Sequence, residues 1–294
     1  MTHHPALWLS AALSLALLSC TPAALRAPVP QATPKTQPAP DLPTQQASIL
    51  ILGDSQISFG AGAAYTRFLQ NLGQICGGLP EGFGQAKAQA IGVRSTALHH
   101  WTATSAPARD MICEVDATHG VNAGSYGVTS PGLSYVQIGT PDYPFCAGRS
   151  TPLKAAADHM DPDLIILAFL GNATARWQNP AMARTDWQAA AAQLPPDLPC
   201  MVMTTIPAYD PAENARRQTA QSHLAAAVRP SRCSFVPGLT AATLQAIENR
   251  PENFRTDATG RVTDATHPTT ASAATFINAN QSALCTGLRA ALTD

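Results

Sequence analysis

Three short apolar runs constrain this chain most: Ile49–Leu52, Leu164–Phe169 and Met201–Ile206, followed by Gly53, Gly171 and Pro207 within two residues. Runs of that length and composition read as strands buried on both faces of a sheet. Tyr65, Phe68, Leu69 and Leu72 recur at helical spacing after the first run, and Gly73 closes that segment. An Ala-rich helix from Asp186 to Leu194 is predicted between the second and third runs. Cys233–Val236 supplies a fourth strand, and Ala86–Ile91 reads as a further one. Strands alternating with helices predict an α/β fold, a three-layer α/β/α arrangement around a parallel sheet. Residues 103–151 are rich in Gly, Ser, Thr and Pro without a period, and are expected to form a disulfide-braced insertion within one domain.

The regions before Ser48 have a different character. Ala6–Leu18 is an apolar stretch too short to span a bilayer comfortably, and it ends in Leu17-Leu18-Ser19-Cys20. That tetrapeptide resembles a bacterial lipobox, so residues 1–20 are expected to be a lipoprotein signal peptide with Cys20 as the lipidated residue. Residues 21–47 carry Pro22, Pro28, Pro30, Pro34, Pro38, Pro40 and Pro43, a composition that cannot bury a core and suits an extended tether. The folded domain is expected to occupy 48–294, held to the cell envelope on its periplasmic side by a lipid anchor.

With 294 residues, 45% hydrophobic and 13% charged, the chain can build a sizeable core. A net charge of -1 gives no electrostatic footprint for nucleic acid. Apart from Cys20, the cysteines are Cys76, Cys113, Cys146, Cys200, Cys233 and Cys285, with no CxxC pair that would favour a zinc or redox site. Three disulfides are expected in an exported protein, in several possible connectivities; proximity along the chain suggests Cys113 with Cys146 and Cys200 with Cys233.

Ser55 follows the first strand in Gly53-Asp54-Ser55-Gln56, where α/β sheets expose ligand-binding groups and a helix N-terminus can stabilise a developing oxyanion. Taken alone, it reads first as a helix N-cap. Near the far end, Asp264-Ala265-Thr266-His267 sets a carboxylate three residues before a histidine, the residue types that orient and charge-balance a base for a serine hydroxyl. That pair alone also fits a capping cluster.

Taken together, these segments resemble the SGNH/GDSL hydrolases, whose sequence blocks have counterparts here in the family's order. Ile51–Ser55 resembles block I, Asp264–His267 the D-x-x-H of block V, and Asp163–Asn172 block III. Leu170 stands at the family's glycine position in block III and Ala173 replaces its Asp. For block II the candidate is Gly92, within Ile91–Thr96. The resemblance implies a flavodoxin-like SGNH fold, a Ser55, Asp264, His267 triad, and an oxyanion hole from the Ser55 and Gly92 N–H groups with the Asn172 side chain. It implies no metal and no organic cofactor.

The expected activity is hydrolysis of ester bonds through an acyl-enzyme on Ser55, with short acyl groups on cell-envelope carbohydrate as substrate. Arg94, beside Gly92, is a candidate for binding a substrate carboxylate or sugar hydroxyl; it also reads as a surface residue. Acyl transfer to a sugar hydroxyl is an alternative, and a non-catalytic glycan-binding envelope protein is another. His99-His100 reads as structural or as a substrate rim, and Trp101 and Trp177 as buried aromatics or sugar platforms.

Overall fold

A computed structural model describes residues 46–104, 126–129, 136–138 and 150–293. The main sheet contains β1 (Ser48–Gly53), β2 (Lys87–Val93), β3 (Tyr126–Thr129), β4 (Val136–Ile138), β5 (Leu164–Ala168), β6 (Cys200–Met203) and β7 (Ser234–Val236). Their order is β4-β3-β2-β1-β5-β6-β7. The five strands from β2 to β7 in that order are parallel. β3 and β4 add an antiparallel pair beyond β2. This pair lies in the segment read from sequence as an insertion, so part of that segment extends the sheet. Strands of four and three residues hold too few positions to show a period. A second, two-stranded antiparallel sheet pairs β8 (Arg255–Thr256) with β9 (Val262–Asp264).

Among the described residues the α-helices are α1 (Gly62–Leu69), α2 (Leu72–Ile75), α3 (Leu98–Thr102), α4 (Pro152–Met160), α5 (Pro180–Ala191), α6 (Pro211–Val228), α7 (Ala241–Ile247) and α8 (Thr270–Thr293). Three of them open alike. Thr151, Asn179 and Asp210 each accept a backbone N–H in the first turn, and a proline follows at the first helical position, where its missing N–H costs nothing.

Alternating residues of β1 face opposite ways. Leu50 and Leu52 join one core with Trp101, Leu153, Trp187 and Leu224, from α3 to α6. Ile49 and Ile51 join another with Phe68, Leu72, Phe276 and Leu288, from α1, α2 and α8. The sheet is therefore covered on both faces, as a parallel sheet requires. Cys200–Cys233 is bonded, and Cys76 is bonded to Cys285. Cys20, Cys113, Cys146, the signal and most of the tether lie outside the described residues. Among the described residues, no helix is long and apolar enough to cross a membrane.

Candidate active site

β2 lies on one side of β1 and β5 on the other, so the chain reverses its direction of travel across the sheet between β1 and β5. A crevice at such a switch point, beyond the strand carboxyl ends, is where open α/β sheets bind ligands. Ser55 follows β1 there, and Asn172 follows β5.

Asp54 builds the turn that presents Ser55. Its carbonyl accepts the N–H groups of Ile57 and Ser58, and its carboxylate accepts the Gln56 N–H at 3.0 Å. Ser55 therefore opens the helical stretch leading into α1, where backbone N–H groups point out of the helix and the dipole favours negative charge. Asp54 is buried, and desolvation raises its pKa; the Gln56 N–H, the nearby Arg217 guanidinium and the Leu170 N–H offset part of that. Arg217 is buried too, donating to Glu213 and to the Ile206 carbonyl.

β9 and the turn after it carry the other two residues. His267 Nε2 lies 2.9 Å from Ser55 Oγ, and His267 Nδ1 lies 2.9 Å from Asp264 Oδ2. Because the carboxylate accepts, the proton belongs on Nδ1, which leaves the Nε2 lone pair facing the serine hydroxyl. Asp264 Oδ1 also accepts the backbone N–H groups of Thr266 and His267, at 3.1 and 3.0 Å. Burial works against the Asp264 charge, but the His267 N–H, the imidazole and the Thr266 N–H outweigh it and hold its pKa below the usual 3.8. Arg255, its register partner on β8, approaches Asp264 Oδ2 at 3.8 Å. Ser55 is 7% exposed, and the His267 and Asp264 side chains are 20% and 23% exposed, so the group is reachable from solvent.

The turn after β2 comes beside Asn172. The Asn172 side chain donates to the Thr96 carbonyl at 2.9 Å, one of the two protons its amide nitrogen carries. Thr96 Oγ1 donates to the Val93 carbonyl and closes the turn, and Ser95 at its tip has a left-handed φ of 64°. Gly92 lies inside β2, paired with Gly53 and Gly127, and the helical stretch after Ser55 crosses directly over it. Its visible role is to admit that crossing, whereas the turn tip lies three residues further on, at Ser95. Arg94 is exposed on the same turn.

Trp101 and Trp177 are interior, donating to Thr96 Oγ1 and Asp186 Oδ2, so neither offers a sugar platform. His100 Nδ1 accepts the Ala97 N–H at the start of α3. Among the described residues, no three His, Cys, Asp or Glu side chains group as a metal site. Sequence reasoning did not identify Gln56, Ser95 or Arg217. Gln56 adjoins the serine and was open to notice, but Ser95 and Arg217 carry no sequence pattern.

No protein-family model and no curated protein matches the chain. A solved structure described as a gut microbial diltiazem-metabolizing enzyme is similar over 76% of this chain and 43% of its own, at 9% identity and a TM-score of 0.35. This chain spans less than half the length of that neighbour, and a likeness at this level says nothing about its chemistry.

Proposed function

We propose that the chain is a serine esterase of the SGNH/GDSL type. The supporting observation is the continuous hydrogen-bonded line from Ser55 Oγ through His267 to Asp264, with both links at 2.9 Å. Ser55 Oγ attacks the ester carbonyl carbon while its proton passes to His267 Nε2. Collapse of the tetrahedral intermediate breaks the ester C–O bond, and the alcohol leaves with that proton. Water then repeats the sequence, using His267 as base and releasing the acid. Asp264 fixes the imidazole tautomer and balances its charge.

The oxyanion is held in this reading by the Ser55 N–H, the Asn172 side chain and the N–H of the turn residue Ser95, which takes the place first given to Gly92. A left-handed tip at Ser95 and a tie from Asn172 to Thr96 support that exchange. The favoured substrates are short acyl esters of cell-envelope carbohydrate, met by a lipid-anchored protein, with Arg94 contacting an anionic or hydroxyl group. The full-length chain, assayed on p-nitrophenyl acetate beside Ser55→Ala, tests the reading. Loss of at least about 1,000-fold in kcat/KM is expected for the variant. Equal rates for the two proteins would sink it and favour a glycan-binding role.

A further inference from the structure

We infer that Gln56 is a positioning residue that sets His267 against Ser55, an inference that rests on the esterase reading. The problem it solves is topological. Ser55 follows a central strand of the main sheet, whereas Asp264 and His267 belong to β9 and its turn, outside that sheet. No ladder of the main sheet connects them, yet Ser55 Oγ and His267 Nε2 must meet within hydrogen-bond distance.

Gln56 is buried, and its side-chain amide bridges the two parts. Nε2 donates to the Thr266 carbonyl at 3.1 Å and to the Ile206 carbonyl at 3.2 Å, while Oε1 accepts the Ile206 N–H at 2.9 Å. Both amide protons are thus used, and the oxygen is engaged. The neighbour of the nucleophile therefore grips the neighbour of the base: Ser55–Gln56 faces Thr266–His267 through two parallel hydrogen bonds. Ile206 belongs to the loop after β6, and that loop holds the base a second time, through the Tyr209 N–H to the Ala265 carbonyl at 2.8 Å. One side chain thereby fixes the β9 turn to two loops of the main sheet, those after β1 and β6.

An apolar residue of the same length would fill the space but leave the Ile206 N–H and the Ile206 and Thr266 carbonyls without this partner. Relief of such a mismatch comes from movement of the loops, and the segment that carries His267 follows β9, which is not a strand of the main sheet. A displacement of about 1 Å in a reacting pair costs on the order of 100-fold in rate. Substrate binding does not use Gln56, which is buried beneath the turn, so the loss falls on the chemical step.

The test uses the full-length chain and Gln56→Met. Expected are a fall in kcat of roughly 10- to 100-fold, a KM within about twofold, and an equal fall in the rate of covalent capture by a fluorophosphonate, which reads Ser55 activation without turnover. The ¹⁵N resonances of His267 should move, and the Ile206 amide should exchange faster with solvent. Gln56→Glu, neutral at a buried site facing carbonyls, keeps the acceptor and one donor; an activity between wild type and Gln56→Met is expected, and it carries the test if Gln56→Met does not fold. Wild-type kcat and capture rate in folded Gln56→Met, with the Ile206 amide exchanging fast, would overturn the positioning role. Inactive wild type would instead defeat the esterase reading, and unchanged His267 resonances in the variant would then overturn the positioning inference by themselves.

Discussion

Gly53 and Gly92 are register partners across β1 and β2, and both leave room for Ile57. A Cβ on Gly92 would stand 2.8 Å from Ile57 Cβ and from the Asp54 carbonyl, and closer still to Ser58 N. One on Gly53 would stand 2.8 Å from the Ala168 carbonyl and closer to Ile57 Cγ1. The paired glycines form the floor on which the helix after Ser55 descends. Gly92→Ala is expected to destabilise the fold by about 1–3 kcal/mol, because backbone cannot yield as a side chain does. Thermal unfolding measures this; a Tm within a degree of wild type would show that the floor has slack.

The left-handed tip at Ser95 separates conformation from side-chain chemistry. If its backbone N–H serves the oxyanion, Ser95→Gly should keep kcat and gain up to about 1 kcal/mol, since glycine adopts positive φ without penalty. Ser95→Val should lose both stability and rate. A rate that followed the hydroxyl, falling in Ser95→Gly, would make the side chain the participant.

Asn172→Ala should lower kcat by about 100- to 1,000-fold with a smaller change in KM, as expected for a donor aimed at charge that develops in the transition state. The same change releases the Thr96 carbonyl, so the crystal structure of the variant should be compared for a moved turn. Unchanged turnover would remove Asn172 from the oxyanion site.

Acid should destabilise the fold through His100 before it reaches Asp264. Burial, and then the charge of neighbouring His99, lower the His100 pKa from 6.5 to about 4. Between those values the unfolded chain binds a proton that the folded chain refuses, so stability rises with pH across the window and is lost on acidification. His99 is also lowered, chiefly by burial, and acts in the same direction. The depressed Asp264 pKa adds stability above the usual 3.8 that is lost only at lower pH. His100→Gln should therefore reduce the fall in stability from pH 7 to pH 4, by on the order of 1 kcal/mol. Parallel denaturation curves for wild type and variant over that range would remove His100 from the account.

The strands β1, β5 and β6 were legible because burial on both faces demands continuous apolar runs. α6 was not. Its buried face includes Asn214 and Arg217 beside Ala220 and Leu224, so polar residues occupy positions where a hydrophobic period would show. β8 and β9, at two and three residues, were equally invisible, although β9 carries Asp264. The Ser55, Asp264 and His267 motifs could be read because each is local. Their connection through Gln56 spans 210 residues of sequence and depends on how two separate sheets are brought together, which no local pattern records.

The Cys76–Cys285 bond joins positions 209 residues apart, one just after α2 and the other within α8. It makes nearly the whole of the folded region a covalent ring. A protease cut anywhere between those cysteines leaves one molecule, with Ser55 on one arm and His267 inside the loop, so nicked protein migrates as a single species until it is reduced. The bond also imposes an order of manufacture. It cannot close until α8 has left the ribosome, and His267 lies only three residues before that helix, so the base and the clasp are supplied at nearly the same moment. Loss of α8 would remove the clasp and also uncover the core that Ile49 and Ile51 share with Phe276 and Leu288.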